Sequence, residues 1–183
     1  MRRTGTVTAR LRRGSPADAP KLGAVERAAA ARFRAVGLDV IAEGRPTAVE
    51  EYLALAEEGR LWVAETDAGI PVGLAIAGSV DGEGYLAEVS VHPDRGRQGL
   101  GRGLIACVET WALEQGFQSL FLTTFRDVPW NRPYYEILEF AVRSEDHVGP
   151  DLRAVRAGEK ARGLDGLSPR VCMVKTLRRC GAV

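Results

Sequence analysis

The chain has 183 residues, 45% of them hydrophobic and 27% charged, enough apolar material for one sizeable core and too well mixed for a disordered chain. Its 25 Lys and Arg nearly cancel 24 Asp and Glu, so bulk charge does not mark a nucleic-acid or membrane-surface binder, and any polyanion site must be local. Cys107, Cys172 and Cys180 form no C-x-x-C pair and no pattern with His92 and His147, which argues against a structural zinc site, any other metal centre or a disulfide framework.

The basic start, Arg2 and Arg3, lacks the apolar segment of a signal peptide, and no run approaches the roughly 20 apolar residues of a membrane span. The expectation is a cytoplasmic protein folded as one domain over residues 1–183.

In chain order, Thr6 to Arg13 alternates like a first strand, and Ser15 and Pro16 stand as N-cap and first residue of a helix running to about Arg34. In TAVEEYLALAEEG the spacing of Thr47 and Glu50 predicts a capping box for a second helix, with Gly59 as its stop. Arg60 to Glu65 reads as a strand, DAGIP as a turn, and Val72 to Val80 as the hairpin partner; DGEG then leads into a strand from Tyr85 to Val91. Beyond a glycine-rich stretch, Leu100, Leu104, Val108 and Trp111 fall at helical spacing, and Gly116 ends that helix. Ser119 to Phe125 is apolar on both faces and reads as a central strand. WNRPYYEIL supports a short helix, EFAVRS a strand and Arg170 to Leu177 a last strand. Between them, Gly149 to Pro169 is unusually long for a connection and has room for its own helix. The order implies an α+β fold, one mixed sheet with helices on both faces.

The stretch between the fourth strand-like run and its helix, VSVHPDRGRQGLGRGLI, presents backbone N–H groups at the positive end of a helix dipole, an anion site that needs no lysine. Gly99 and Gly101 let the backbone approach an anion closely, while Arg97 and Arg102 add charge. A P-loop would need Gly-Lys-Ser/Thr and a dinucleotide fingerprint G-x-G-x-x-G with a later acidic residue; both are absent. A tight turn whose glycines merely let helix and sheet pack accounts for the stretch equally well.

VxVHPxxxxxGxG followed by an amphipathic helix, an apolar strand and WNRPYYEILEF resembles the GNAT-type N-acetyltransferases over about Leu61 to Phe140. Two motifs recur in that family: a turn Q/R-x-x-G-x-G/A that holds the coenzyme A pyrophosphate, and a downstream helix carrying an asparagine and tyrosines. The chain departs at Gly96, where the family most often has Gln or Arg, and at Glu139, where it usually has Gly. A residue forced into the left-handed region at that helix end costs about 1 kcal/mol unless it is glycine.

The resemblance implies a GNAT-like fold with a splayed pair formed by the Tyr85–Val91 and Ser119–Phe125 strands, and acetyl transfer from acetyl-CoA to an amine by direct attack in a ternary complex. It assigns the pantetheine arm to the backbone of Val89 and Val91. The pyrophosphate falls to the turn from Arg97 through Gln98, Gly99, Leu100 and Gly101 to Arg102. Asn131 matches the family's asparagine near the coenzyme, and Tyr135 the tyrosine that faces the thioester sulfur.

An alkylamine with pKa near 10.4 arrives protonated, so a base or a water chain must take its proton; a thiolate with pKa near 8.5 leaves more easily if an acid protonates it. Glu88, on the strand face of Leu86 and Ser90, is the first base candidate, and a solvent-facing strand glutamate is the bland alternative. Tyr135 is the acid candidate, with Tyr134 in the core. His92 suits a turn role, Trp62 and Trp111 the core, and Trp130 either packing or a substrate wall. The expected partner is a small-molecule or peptide amine, neither nucleic acid nor membrane, and a homodimer is compatible with the sequence. Asp39, Glu43, Glu50 and Glu51 would suit a cationic acceptor but are equally at home as solvated helix charges. An acyl-CoA-binding sensor with this fold and no turnover is the alternative from another class.

Overall fold

The computed structural model describes residues 9–178. In its first half β1 (Ala9–Arg13), α1 (Ala19–Ala30), α2 (Asp39–Ala42) and α3 (Val49–Glu57) precede β2 (Leu61–Thr66), β3 (Pro71–Val80) and β4 (Glu83–Val91). Then come α4 (Leu100–Glu114), β5 (Ser119–Phe125), α5 (Arg132–Ile137), β6 (Ala141–Arg143), α6 (Pro150–Ala161), α7 (Leu164–Leu167) and β7 (Arg170–Thr176). The strands hydrogen-bond in the order β1-β2-β3-β4-β5-β7-β6. β1/β2, β2/β3, β5/β7 and β6/β7 are antiparallel and β4/β5 is parallel, the mixed sheet expected of an α+β chain. The residues fall into two compact units, 9–76 with 88–107 and 77–87 with 108–178.

The first unit is built on β2, buried along its whole length, which explains its unbroken apolar run better than simple alternation does. Leu22 and Val25 of α1 and Tyr52 and Leu55 of α3 pack with Leu61, Val63, Leu74 and Ile76, and each fully buried leucine contributes about 1.5–3 kcal/mol. Gly103 of α4 admits Leu11 of β1: a Cβ there would stand 2.5 Å from its Cδ1. Arg12 ties β1 to the start of α1, donating to Asp18 at 2.8 and 2.9 Å and to Glu65 at 2.5 Å. The Arg12 guanidinium holds the Asp18 carboxyl down at about 2.

Several boundaries differ from those the sequence suggests. The first strand is described from Ala9; Thr6, Val7 and Thr8 lie outside the described residues, as does Cys180. Ser15 caps a 3-10 turn, Pro16–Asp18, in which both its N–H and its hydroxyl donate to Asp18 at 2.8 Å. α1 then tightens to 3-10 geometry over Ala31–Val36 and stops at Gly37, φ 73°. The capping box at Thr47 does not form. Ala48 is the N-cap of α3, and Thr47 turns to α1, its N–H and hydroxyl donating to Glu26 at 2.8 and 2.9 Å. The stop at Gly59 does form, with Arg60 N–H on Leu55 O and Gly59 N–H on Ala56 O, the paired bonds of a Schellman end.

In the second unit, β4 and β5 register at Gly84 with Leu120 and Tyr85 with Phe121, the start of both strands. β5 alternates buried and half-buried residues, so it is less enclosed than its composition suggests. The long connection between β6 and β7 folds as α6 and α7. Asp81 caps α6 from the β3–β4 turn, accepting from Asp151 N–H at 2.8 Å and Leu152 N–H at 3.1 Å. The buried stripe of α6 is Leu152, Arg156 and Glu159. Glu159, 4% exposed, accepts from Thr123 at 2.6 Å, Arg170 at 2.7 Å and Arg156 at 2.5 Å. Arg156 also donates to Glu145 at 2.9 Å and to Asp165 at 2.7 and 2.9 Å. Burial alone would raise the Glu159 carboxyl, but Arg170, Thr123 and Arg156 outweigh it and hold it below the usual range.

Candidate active site

Where β4 ends, His92 turns the chain: its N–H donates to Val72 O at 2.8 Å and its Nδ1 accepts from Asp94 N–H at 3.3 Å. Gly96 is extended, φ −62°, and makes no use of a glycine's freedom. The left-handed positions that follow belong to Arg97, φ 58°, and Gly99, φ 80°. Arg97 therefore bears a cost of about 1–2 kcal/mol that Gly99 does not.

Gly99 precedes α4, and Gly103 N–H closes onto Gly99 O at 2.9 Å. By helix geometry the amides of Leu100, Gly101 and Arg102 have no intrahelical acceptor. The Leu100 side chain is buried, which seats the first turn, while Arg97, Gln98, Gly99 and Arg102 are exposed. A Cβ at Gly99 would meet nothing within 4 Å. The turn thus presents helix-end amides and two guanidinium groups to open space, a donor set that fits a diphosphate.

Glu88, Val89 and Val91 lie on β4 in the same unit, half-buried. Leu86 and Ser90, the neighbours on the Glu88 face, are buried, and the Ser90 hydroxyl donates to Glu88 Oε1 at 2.7 Å. A glutamate so flanked is not one turned wholly to solvent.

Two residues of this unit escaped the sequence reading. Tyr52, on the apolar stripe of α3, is fully buried, and its hydroxyl has no hydrogen-bond partner among the described residues. Glu26 and Thr47 adjoin that hydroxyl without meeting the distance and angle of a hydrogen bond. Burial raises the pKa of the phenol, and the carboxylates of Glu26 and Glu88 raise it further. Leaving such a hydroxyl unpaired costs about 1–3 kcal/mol, which marks the position as more than packing. The only sequence signal is a polar-tipped residue on an apolar stripe.

In the second unit Asn131 is the N-cap of α5, and its Nδ2 donates to the buried Thr124 of β5 at 2.8 Å. Tyr135 is half-buried, its ring edge-on to Phe140 at 5.8 Å and tilted against Tyr134 at 5.7 Å. Glu139 ends the helix in the left-handed region, φ 69°, where the sequence expected strain. Trp62 and Trp111 are buried, as expected. Among the described residues no cluster of three metal-ligating side chains occurs, and no helix is long and apolar enough to cross a membrane.

A model of the acetyltransferase (GNAT) family matches residues 25–140, more than half of the chain. Among solved structures the chain is similar to N-acetylglutamate synthase from Neisseria gonorrhoeae, crystallised with coenzyme A and N-acetyl-glutamate, at 22% identity and TM-score 0.68. That match covers 94% of this chain but 36% of the other, so the chain spans about a third of the synthase's length. An acetyltransferase of the GNAT family from Listeria monocytogenes aligns at 16% identity and TM-score 0.64, covering 94% of this chain and 97% of that one. The PaiA N-acetyltransferase from Thermoplasma acidophilum, in complex with coenzyme A, aligns at 13% identity and TM-score 0.63, covering 92% and 99%. At these identities the likeness is one of fold.

Proposed function

Because the chain belongs to the GNAT acetyltransferase family, whose acyl donor is acetyl-CoA, we propose that it is an N-acetyltransferase that moves the acetyl group to an amine by direct attack in a ternary complex. The observation that carries the reading is the turn before α4, where open left-handed backbone at Gly99 meets unbonded helix amides between Arg97 and Arg102. Gln98, Leu100 and Gly101 supply further backbone there, Val89 and Val91 offer β4 backbone to the pantetheine arm, and Asn131 matches the family's asparagine near the coenzyme.

Glu88 takes the proton from the acceptor's ammonium and leaves the nitrogen lone pair free. That nitrogen bonds to the acetyl carbon, the carbon–sulfur bond breaks with its electron pair on sulfur, and the Tyr135 hydroxyl protonates the thiolate. The proton shed by the new amide nitrogen restores the phenol, and Glu88 returns its own to solvent, so the protons balance. Positioned proton transfer of this kind contributes about 10²- to 10⁴-fold.

The test is release of free thiol from acetyl-CoA against a broad panel of amines. Thiol release that depends on the added amine supports the enzyme. Tight coenzyme A binding with no turnover for any amine would leave an acyl-CoA sensor instead.

A further inference from the structure

Within the first unit, the side chains around the Tyr52 hydroxyl come from three elements: Glu26 from α1, Thr47 from the segment before α3, and Glu88 from β4. Both oxygens of Glu26 accept from Thr47, at 2.8 and 2.9 Å, and among the described residues no cation pairs with it. Glu26 and Glu88 are each half-buried, whereas the Tyr52 side chain is fully buried. The buried Tyr52 hydroxyl is a donor without an acceptor, and it feels the charge of Glu26 more strongly than that of Glu88.

From this arrangement we propose that Glu26, Tyr52 and Glu88 form the acceptor subsite, and that it takes an amine carrying a second positive charge. The inference rests on the acetyltransferase reading given above and names its substrate class. Glu88 receives the reacting nitrogen. Glu26, held rigid by its two bonds from Thr47, receives the second cationic group, since a partly desolvated carboxylate with no protein cation attracts one from the substrate. Tyr52 is a positioning residue: as a phenol it adds no third negative charge, and its hydroxyl can turn to whichever carboxylate the substrate draws inward. Burial and both carboxylates keep it protonated. An acceptor with its own carboxylate would meet two like charges and be refused.

The experiment titrates the full chain, saturated with coenzyme A, with 1,4-diaminobutane, n-butylamine and 4-aminobutanoate, which share a four-carbon chain and end in a positive, a neutral and a negative group. The diamine should bind at least tenfold more tightly than 4-aminobutanoate, with butylamine between. Glu26→Gln should erase the advantage of the diamine over butylamine while its stabilisation by coenzyme A persists. Tyr52→Phe, which keeps the ring, should weaken all three amines and preserve their order. Equal or tighter binding of 4-aminobutanoate overturns the proposal, as does a diamine preference that survives Glu26→Gln or amine binding untouched by Tyr52→Phe. If none of the three binds but other amines are acetylated, this inference fails and the enzyme stands; if none binds and no amine is acetylated, both fail.

Discussion

Gly99→Ala probes the turn before α4 at a position where backbone strain and ligand binding can be separated. Gly99 and Gly69 have φ of 80° and 72°, and a Cβ at either would meet nothing within 4 Å. An alanine at either position therefore carries the same penalty, about 1–2 kcal/mol of left-handed backbone and no clash. Coenzyme A at 100 times its dissociation constant should stabilise the wild type and Gly69→Ala by about 2.7 kcal/mol, roughly 5–11 °C in Tm for a chain of this size. At Gly99 the new methyl occupies the space a phosphate oxygen needs to reach the helix amides. A hundredfold loss of affinity would cut the stabilisation at the same concentration to about 0.4 kcal/mol. The assay is thermal unfolding of all three proteins with and without coenzyme A. Should Gly99→Ala gain as much as Gly69→Ala, the turn does not hold the pyrophosphate and its glycines serve packing alone.

Tyr135→Phe should leave coenzyme A affinity nearly unchanged and lower kcat by about 10²- to 10⁴-fold on an identified amine; full kcat, with chemistry shown to be rate-limiting, would return the ring to a packing role against Phe140. Asp18, held at about 2 against an ordinary 3.8 chiefly by Arg12, contributes stability that is complete above its ordinary value and lost as pH falls from about 4 toward 2. Urea titrations across that window should show the wild type losing about 2 kcal/mol more than Asp18→Asn. Glu139→Gly removes a side chain from φ 69° and should raise the urea midpoint, with unchanged slope, by an amount equivalent to about 0.5–1 kcal/mol.

What the sequence made legible is what periodicity and backbone chemistry encode locally. β2, β5 and α4 carry unbroken or stripe-like apolar patterns, and Gly59 and Gly116 end helices because the left-handed conformation suits glycine. Thr47 misled for an equally local reason: threonine three residues before Glu50 has the capping signature, but its real partner is Glu26, 21 positions earlier. The helix expected within Gly149 to Pro169 forms as α6, but its bounds and buried face stayed hidden because that face includes Arg156 and Glu159, whose charges break the apolar stripe. Its cap, Asp81, lies 70 residues upstream of Asp151. The turn before α4 and the helix carrying Tyr134 and Tyr135 could be read as elements because each is a short contiguous motif. Glu26 and Tyr52 could not, because only the folded chain puts α1, α3 and β4 around one hydroxyl.

The charges under α6 bear on how that helix is held in place. A helix seated by leucines alone can roll about its axis or slip by a residue and still cover apolar surface. Arg156 cannot move one step without leaving Glu145 and Asp165, nor can Glu159, on the same helix, without leaving Arg170 and Thr123. Such a helix has a single berth, fixed by where its partners stand rather than by how much grease it covers. Exchanging Arg156 and Glu159 alone for methionine and leucine would strand Arg170 beneath the helix; only exchanging Arg170 with them for apolar residues of similar volume would fasten it as firmly, and that would surrender the one property the ion pairs supply, that every other seating of the helix strands a buried charge.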